Sequence, residues 1–348
     1  MDSLPRLLSV ATAVPPYRLD QRDVVKRAAR LFDGAFGDLD RLLGVFTNAE
    51  IETRYSCVPI EWYMHDHGFA ERNRIYLDNA VALLERAADE ALDGAGLAPG
   101  DIDVIVSVST TGIATPSLDA LLMERLPFRR DVQRLPIFGL GCAGGVLGLG
   151  RAATCARAQP GARVLFLVVE LCALTFRPAD RSKSNLVAMA LFGDGAAAAV
   201  VARDGDGAAI IDWGEHTWPR SLDVMGWNIA DDGFGVLFSR DIPALVRREM
   251  RAAAEDYLAR QGLTLADIDS FVCHPGGAKV IEALEAAYGL GSGGLDGARA
   301  VLRDYGNMSA ATVMFVLERA LAAGGARRHL LSSLGPGFTA GFLTLERA

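Results

Sequence analysis

The sequence predicts an α/β fold made of two related halves, and three observations carry that reading. Short strand-like apolar runs alternate with longer helical patterns, the order that builds parallel or mixed sheets covered by helices. A segment recurs: Gly96-Leu97, three residues, Asp101-Ile102-Asp103 and the strand VIVSVS return as Gly262-Leu263, three residues, Asp267-Ile268-Asp269 and the strand SFVCHP. Both copies follow a long amphipathic helix, at an offset of 166 residues (Gly96 to Gly262), which marks two similar units in one chain. No low-complexity or linker-like stretch lies between them, so the halves, 1–205 and 206–348, share an interface.

In chain order, Leu7–Val14 reads as a strand closed by Pro15-Pro16, and Asp20–Leu31 as a helix. Arg72–Leu92 has helical periodicity and leads through the first repeat into strand Val104–Ser109. The apolar stretch Pro136–Leu140 runs into a Gly-flanked turn and then helix Gly144–Ala158. Strands Val164–Glu170, Ala196–Ala202 and Ala208–Trp213 follow as compact apolar runs. The second half repeats the alternation with helix Pro243–Gln261, strand Ser270–His274, helices Ala278–Ala287 and Ala310–Ala323, and strands His329–Leu334 and Gly341–Leu345.

Composition narrows the function. Of 348 residues 51% are hydrophobic and 22% charged, enough for a large core. A net charge of −8 argues against nucleic acid as a partner, since no basic block exists to neutralise phosphates. Only three of the 35 basic residues are lysine (Lys26, Lys183, Lys279), so a bound anion calls for a local cluster of arginines. Five scattered cysteines without a C-x-x-C pair fit neither a disulfide framework nor a zinc site, and point to a reducing cytoplasm. The first residues read as a strand and not as a signal peptide. The longest uncharged run, Leu135–Gly150, contains six glycines in sixteen residues and is too short to span a membrane. His65 and His67, in a polar loop, read as solvated side chains and not as a metal site.

Three residues stand where chemistry can happen. Cys142 follows an apolar strand and Gly141 and opens a helix, so unpaired backbone N–H groups and the helix dipole favour its thiolate. His274 ends a strand before Pro275-Gly276-Gly277, which exposes the imidazole. Asn307 opens an apolar helix after Gly306, in helix-capping position. Singly each has an ordinary structural reading, as core cysteine, strand-end histidine and cap. Together, each Gly-flanked and each at an element end, they suggest a Cys/His/Asn catalytic set. Gly335-Pro336-Gly337-Phe338 forms a rigid turn after strand LLSSL.

The segments GCAGG, LFGDGAAAAVV, CHPGG, YGNMSAA and GPGF, in this order, resemble the signatures of type III polyketide synthases, the chalcone synthase superfamily. The resemblance runs from about Leu7 to the end. It implies the thiolase fold, two related α/β halves in a five-layered αβαβα arrangement. It also implies a homodimer that uses an acyl-CoA starter and malonyl-CoA, without metal or other cofactor. It makes Cys142 the acyl-carrying nucleophile, with His274 and Asn307 as partners, and Phe192 an aromatic gatekeeper. Val236 stands where plant members carry a second gatekeeper phenylalanine, and Arg54 in the region that meets CoA phosphates.

TTGIATPSLDALL and VELCALTFR are similar to segments of bacterial alkylpyrone and alkylresorcinol synthases. By that likeness Thr111, Thr115, Cys172, Thr175, Val236 and Ser309 line the starter and cyclisation cavity, and their slender side chains suit an alkyl tail. Two alternatives share the fold. A ketoacyl synthase of the fatty-acid-initiating type resembles an HQAN-containing sequence without GPGF, whereas this chain has HPGG and GPGF. An inactive scaffold partner usually lacks the cysteine.

Overall fold

The computed structural model describes residues 4–347. Its first half contains β1 (Arg6–Ala13), β2 (Tyr17–Asp20), α1 (Gln21–Leu31), α2 (Leu39–Asn48), β3 (Thr53–Ser56) and α3 (Phe69–Ala95). Then come β4 (Val104–Val108), α4 (Leu118–Leu122), β5 (Gln133–Ile137), α5 (Gly144–Ala158), β6 (Val164–Leu171), α6 (Lys183–Leu191) and β7 (Asp194–Ala202). The second half contains β8 (Ala208–Thr217), β9 (Met225–Ala230), β10 (Gly233–Phe238), α7 (Ile242–Ala259) and β11 (Ser270–Cys273). It closes with α8 (Ala278–Tyr288), α9 (Asp296–Tyr305), α10 (Thr312–Ala323), β12 (Arg328–Gly335) and β13 (Thr339–Glu346).

The repeat has a physical cause. In both copies a long helix stops at a left-handed glycine, Gly96 (φ 66°) or Gly262 (φ 69°). The first aspartate of each Asp-Ile-Asp then caps a short 3₁₀ turn: Asp101 accepts from Ala98 N at 2.9 Å and Asp267 from Thr264 N at 2.8 Å. The second aspartate ties down the neighbouring parallel strand. Asp103 accepts from Arg163 N beside β6, and Asp269 from Arg327 N and Arg328 N at β12, each at 2.8–3.1 Å.

The strands of both halves join in the order β11-β12-β13-β8-β1-β7-β6-β4-β5. The halves meet where β1 pairs with β8 through only Arg6↔Ala209 and Leu7↔Ala208. α5 packs on strands of both halves and on α10, so these two helices form the middle of five layers. α3 covers the outer face of β1, β7 and β6, and α7, backed by α8, covers β13. The glycines of the uncharged run are needed in that middle layer. A Cβ at Gly145 would strike the carbonyl of Ala310, and one at Gly148 the ring of Phe166.

α5 has the bounds its sequence predicts, and the predicted strands agree to within a few residues. β2, β3, β9, β10, α2, α4, α6 and α9 are not evident in the sequence. Most of these are short or face solvent on one side. Among the described residues no helix is long and apolar enough to cross a membrane.

Candidate active site

Cys142 sits in a 3₁₀ turn (Gly141–Ala143) that continues into α5. Gly141 turns at φ 50°, and a Cβ there would meet Pro336, so the GPGF turn braces the Cys142 loop from behind. His274 extends β11, its N–H donating to Ser332 O at 2.8 Å. Asn307 is held by a bridge to Phe192, with Asn307 N donating to Leu191 O at 2.8 Å and Gly193 N to Asn307 O at 3.0 Å. The two halves of the chain thus deliver Cys142, His274 and Asn307 to the wall of one cavity of 580 Å³.

All three side chains are buried. Burial pushes the Cys142 thiol up to about 12, against the Ser309 hydrogen bond and reinforced by the charge of Glu170. Burial pulls His274 down to about 4. At neutral pH the resting pair is therefore a thiol and a neutral imidazole, and desolvation outweighs the helix-dipole preference expected for the thiolate. Both imidazole nitrogens lack a protein partner, leaving one to accept a proton and one to donate toward a ligand. Asn307 is more constrained: Oδ1 accepts from Ser309 N at 2.8 Å, and Nδ2 donates to Gly276 O at 3.2 Å. Its amide is thereby oriented, with a second N–H on Nδ2 left for the cavity.

Residues 4–205 match the family model for the N-terminal domain of chalcone and stilbene synthases, and 214–346 that for the C-terminal domain. The chain belongs to this family, the type III polyketide synthases. It is accordingly an acyltransferase that catalyses decarboxylative condensation. It is 42% identical to a 1,3,6,8-tetrahydroxynaphthalene synthase of Streptomyces peucetius, over 97% of this chain and 92% of the relative. It is 40% identical to a putative chalcone synthase of Bacillus subtilis, over 97% of both. The crystal structure of the Streptomyces coelicolor tetrahydroxynaphthalene synthase superposes with a TM-score of 0.94 at 31% identity, covering 99% of each chain.

Within the synthase several expected site residues fall elsewhere. Arg54 does not face the cavity mouth: it is buried, and its guanidinium donates to the carbonyls of Met189, Ala190 and Phe192 and to Gln21. It shapes the Phe192 loop, and burial lowers its pKa to about 10. The cations that do line the cavity are Arg41, Lys183, Arg240 and Lys279, all exposed. Two of the chain's three lysines stand here, a signal the composition contained. Gly335, Pro336, Gly337 and Phe338 do not line the catalytic cavity either; Leu334 does. Phe338 stacks on Trp218 at 5.5 Å and its N–H donates to Ser221 Oγ. Thr115 is exposed at the surface.

Thr111 and Thr175 border a separate 10 Å³ gap that Cys142 does not line. Thr111 is committed to Glu170, as is Thr110, whose N–H and hydroxyl both donate to that carboxylate at 3.0 and 2.7 Å. Glu170, fully buried with its pKa raised by burial to about 7, escaped the sequence reading because it looked like the end of a strand. Cys172 packs with Ala188 and Phe192, and Val236 lies against them. The second aromatic missing at Val236 is supplied two residues on. Phe238 meets Phe192 edge-to-face at 5.9 Å and lines the catalytic cavity. Trp227 closes the group from the other side, 6.2 Å from Phe192, with its indole N–H donating to Thr110 O at 2.9 Å. Alternation along β10 explains the substitution, because residues 236 and 238 share one face of the strand.

Proposed function

We propose that this synthase loads a fatty acyl group from CoA onto Cys142, extends it with malonyl-CoA, and closes the chain to an alkylpyrone or an alkylresorcinol. The neutral His274 accepts the Cys142 proton as sulfur attacks the acyl-CoA carbonyl, and CoA thiolate leaves. Malonyl-CoA then loses CO2, and the electron pair of the broken C–C bond forms an enolate. His274 and the free Asn307 N–H donate to its oxygen. The enolate carbon attacks the acyl-Cys142 carbonyl and expels the Cys142 thiolate, which restores the nucleophile. The uncharged amide of Asn307 suits this step, since a carboxylate there would repel the enolate. Arg41, Lys183, Arg240 and Lys279 hold the CoA phosphates at the mouth. No cofactor beyond the CoA thioesters enters the scheme.

The observation that carries the alkyl starter lies behind Phe192. A second crevice there is lined by Cys172, Ala173, Phe176, Ala188 and Met189. Two arginines border it and both are engaged: Arg54 gives its terminal nitrogens to backbone carbonyls and to Gln21, and Arg27 pairs with Glu61 and Asp23. The rest of the lining is apolar and suits a hydrocarbon tail. The crevice measures 40 Å³ as it stands, so a tail enters as Phe192 and the flexible Met189 turn aside. The indole of Trp227 favours a second reading, a compact aromatic product of the kind named for the Streptomyces relatives, because it fills space that a folded chain would use. Family members work as homodimers. The exposed edge strand β5 and the residue that follows it, with Leu135 and Phe138 40% and 60% exposed, form the face on which we place a second copy; sedimentation of the free protein as a monomer would refute it.

Purified protein given acyl-CoAs from C2 to C16 with malonyl-CoA decides between the readings. Alkylated pyrones or resorcinols support the first. A product built from malonyl-CoA alone, unchanged by added acyl-CoA, refutes it and supports the second.

A further inference from the structure

Among the described residues, the side chain hydrogen-bonded to the Cys142 sulfur is Ser309, with Sγ to Oγ 3.3 Å. Ser309 has an unusual backbone. Among the described residues three non-glycine positions have positive φ, and two of them, Glu50 and Arg220, are exposed; Ser309, at φ 47°, is the buried one. A side chain in this left-handed region costs of order 1 kcal/mol. The surroundings impose it. Ser309 N donates to Asn307 Oδ1 at 2.8 Å, and Ser309 O accepts from Thr312 Oγ1 at 2.9 Å. Thr312 Oγ1 in turn accepts from Met308 N at 2.9 Å. The backbone is clamped on both sides, and its buried hydroxyl lies against the Cys142 sulfur. The Asn307 amide is thus connected to Cys142 through the residue it holds.

We propose that Ser309 is a positioning residue for the nucleophile, accepting from the Cys142 thiol at rest and donating to the sulfur once it is a thiolate. The assignment rests on Cys142 being the acyl carrier. A hydroxyl can reverse its role by turning one hydrogen, with no heavy atom moving, so the sulfur keeps one orientation through proton loss. The other titratable groups around the sulfur are Glu170 at the end of β6, Cys172 in the turn after it and His274 after β11. The Glu170 and Cys172 charges, when present, oppose the thiolate. Ser309 acts in the other direction.

The test is the pH dependence of Cys142 alkylation by iodoacetamide in the full chain, read by peptide mass so that the other four cysteines do not contribute. Two variants separate the hydroxyl from the backbone. Ser309→Ala keeps a β-carbon at positive φ, and Ser309→Gly removes the strain together with the hydroxyl. A hydrogen bond to a charged group is strong enough that both variants should lower the alkylation rate about ten- to a hundredfold at each pH below the thiol's midpoint. The glycine variant also covers the case in which the alanine variant folds poorly. An unchanged alkylation rate in the glycine variant, or a fall in only one of the two, overturns the inference. Cys142→Ala protein still forming an acyl adduct with acyl-CoA would instead overturn the choice of nucleophile.

Discussion

Replacing Cys172 tests the crevice behind Phe192 most directly. Its side chain is fully buried, packed with Ala188 and Phe192, and borders the 40 Å³ space. Phenylalanine adds five heavy atoms, more than a space with room for about three waters, at about 10–15 Å³ each, can hold. The ring therefore closes the path of a long tail while the catalytic cavity on the far side of Phe192 keeps its shape. Each methylene kept out of an apolar passage forfeits about 0.8 kcal/mol, so excluding four costs about 3 kcal/mol. The ratio of kcat/KM for C16 to C6 acyl-CoA should then fall on the order of a hundredfold. Overpacking itself costs about 1–3 kcal/mol of stability, so a thermal melt accompanies the assay and Cys172→Leu serves as the milder variant. Equal losses on both starters, or an unchanged ratio in a folded variant, would refute a tail passing Cys172.

Three further outcomes are expected. The folded chain holds His274 neutral down to about pH 4, whereas the unfolded chain takes the proton near 6.5. His274 by itself therefore contributes a loss of stability as pH drops from 6.5 to 4. Glu170 and Asp194, raised to about 7, contribute in the opposite direction in both proteins, so the expected outcome is a difference: the wild-type chain loses stability relative to His274→Gln as pH drops from 6.5 to 4, and parallel melting curves would refute a buried neutral His274. Phe238→Ala should shift product lengths upward by widening the gate and Val236→Ala should not; the reverse result in the mass spectrum of products would return the gate to position 236. Lys183→Glu and Lys279→Glu should each raise KM for malonyl-CoA several-fold with kcat retained, more at low salt, and a KM unchanged at low ionic strength would remove these lysines from the CoA mouth.

What the sequence determined by itself was whatever is written in adjacent residues. The repeat could be read because each copy closes its own turn: glycine ends the helix, one aspartate caps the 3₁₀ turn, and the next holds the following loop. Cys142, His274 and Asn307 were legible for a similar reason, since each lies at a glycine-marked element end. The tertiary structure decided what depends on residues far apart in the chain. Whether Arg54 meets solvent depends on the Met189–Phe192 carbonyls folding over it, and nothing near position 54 records that. Phe238 replaces the aromatic absent at Val236 because a strand shows alternate residues to the same face, which becomes visible only once β10 is laid beside Phe192. The state of Cys142 follows the same rule. The local pattern, a cysteine at a helix start, favours a thiolate, but the depth of burial fixed by five packed layers takes the solvent away and holds the sulfur as a thiol. Desolvation is a property of everything around a group, so it could not be read from the residues beside it.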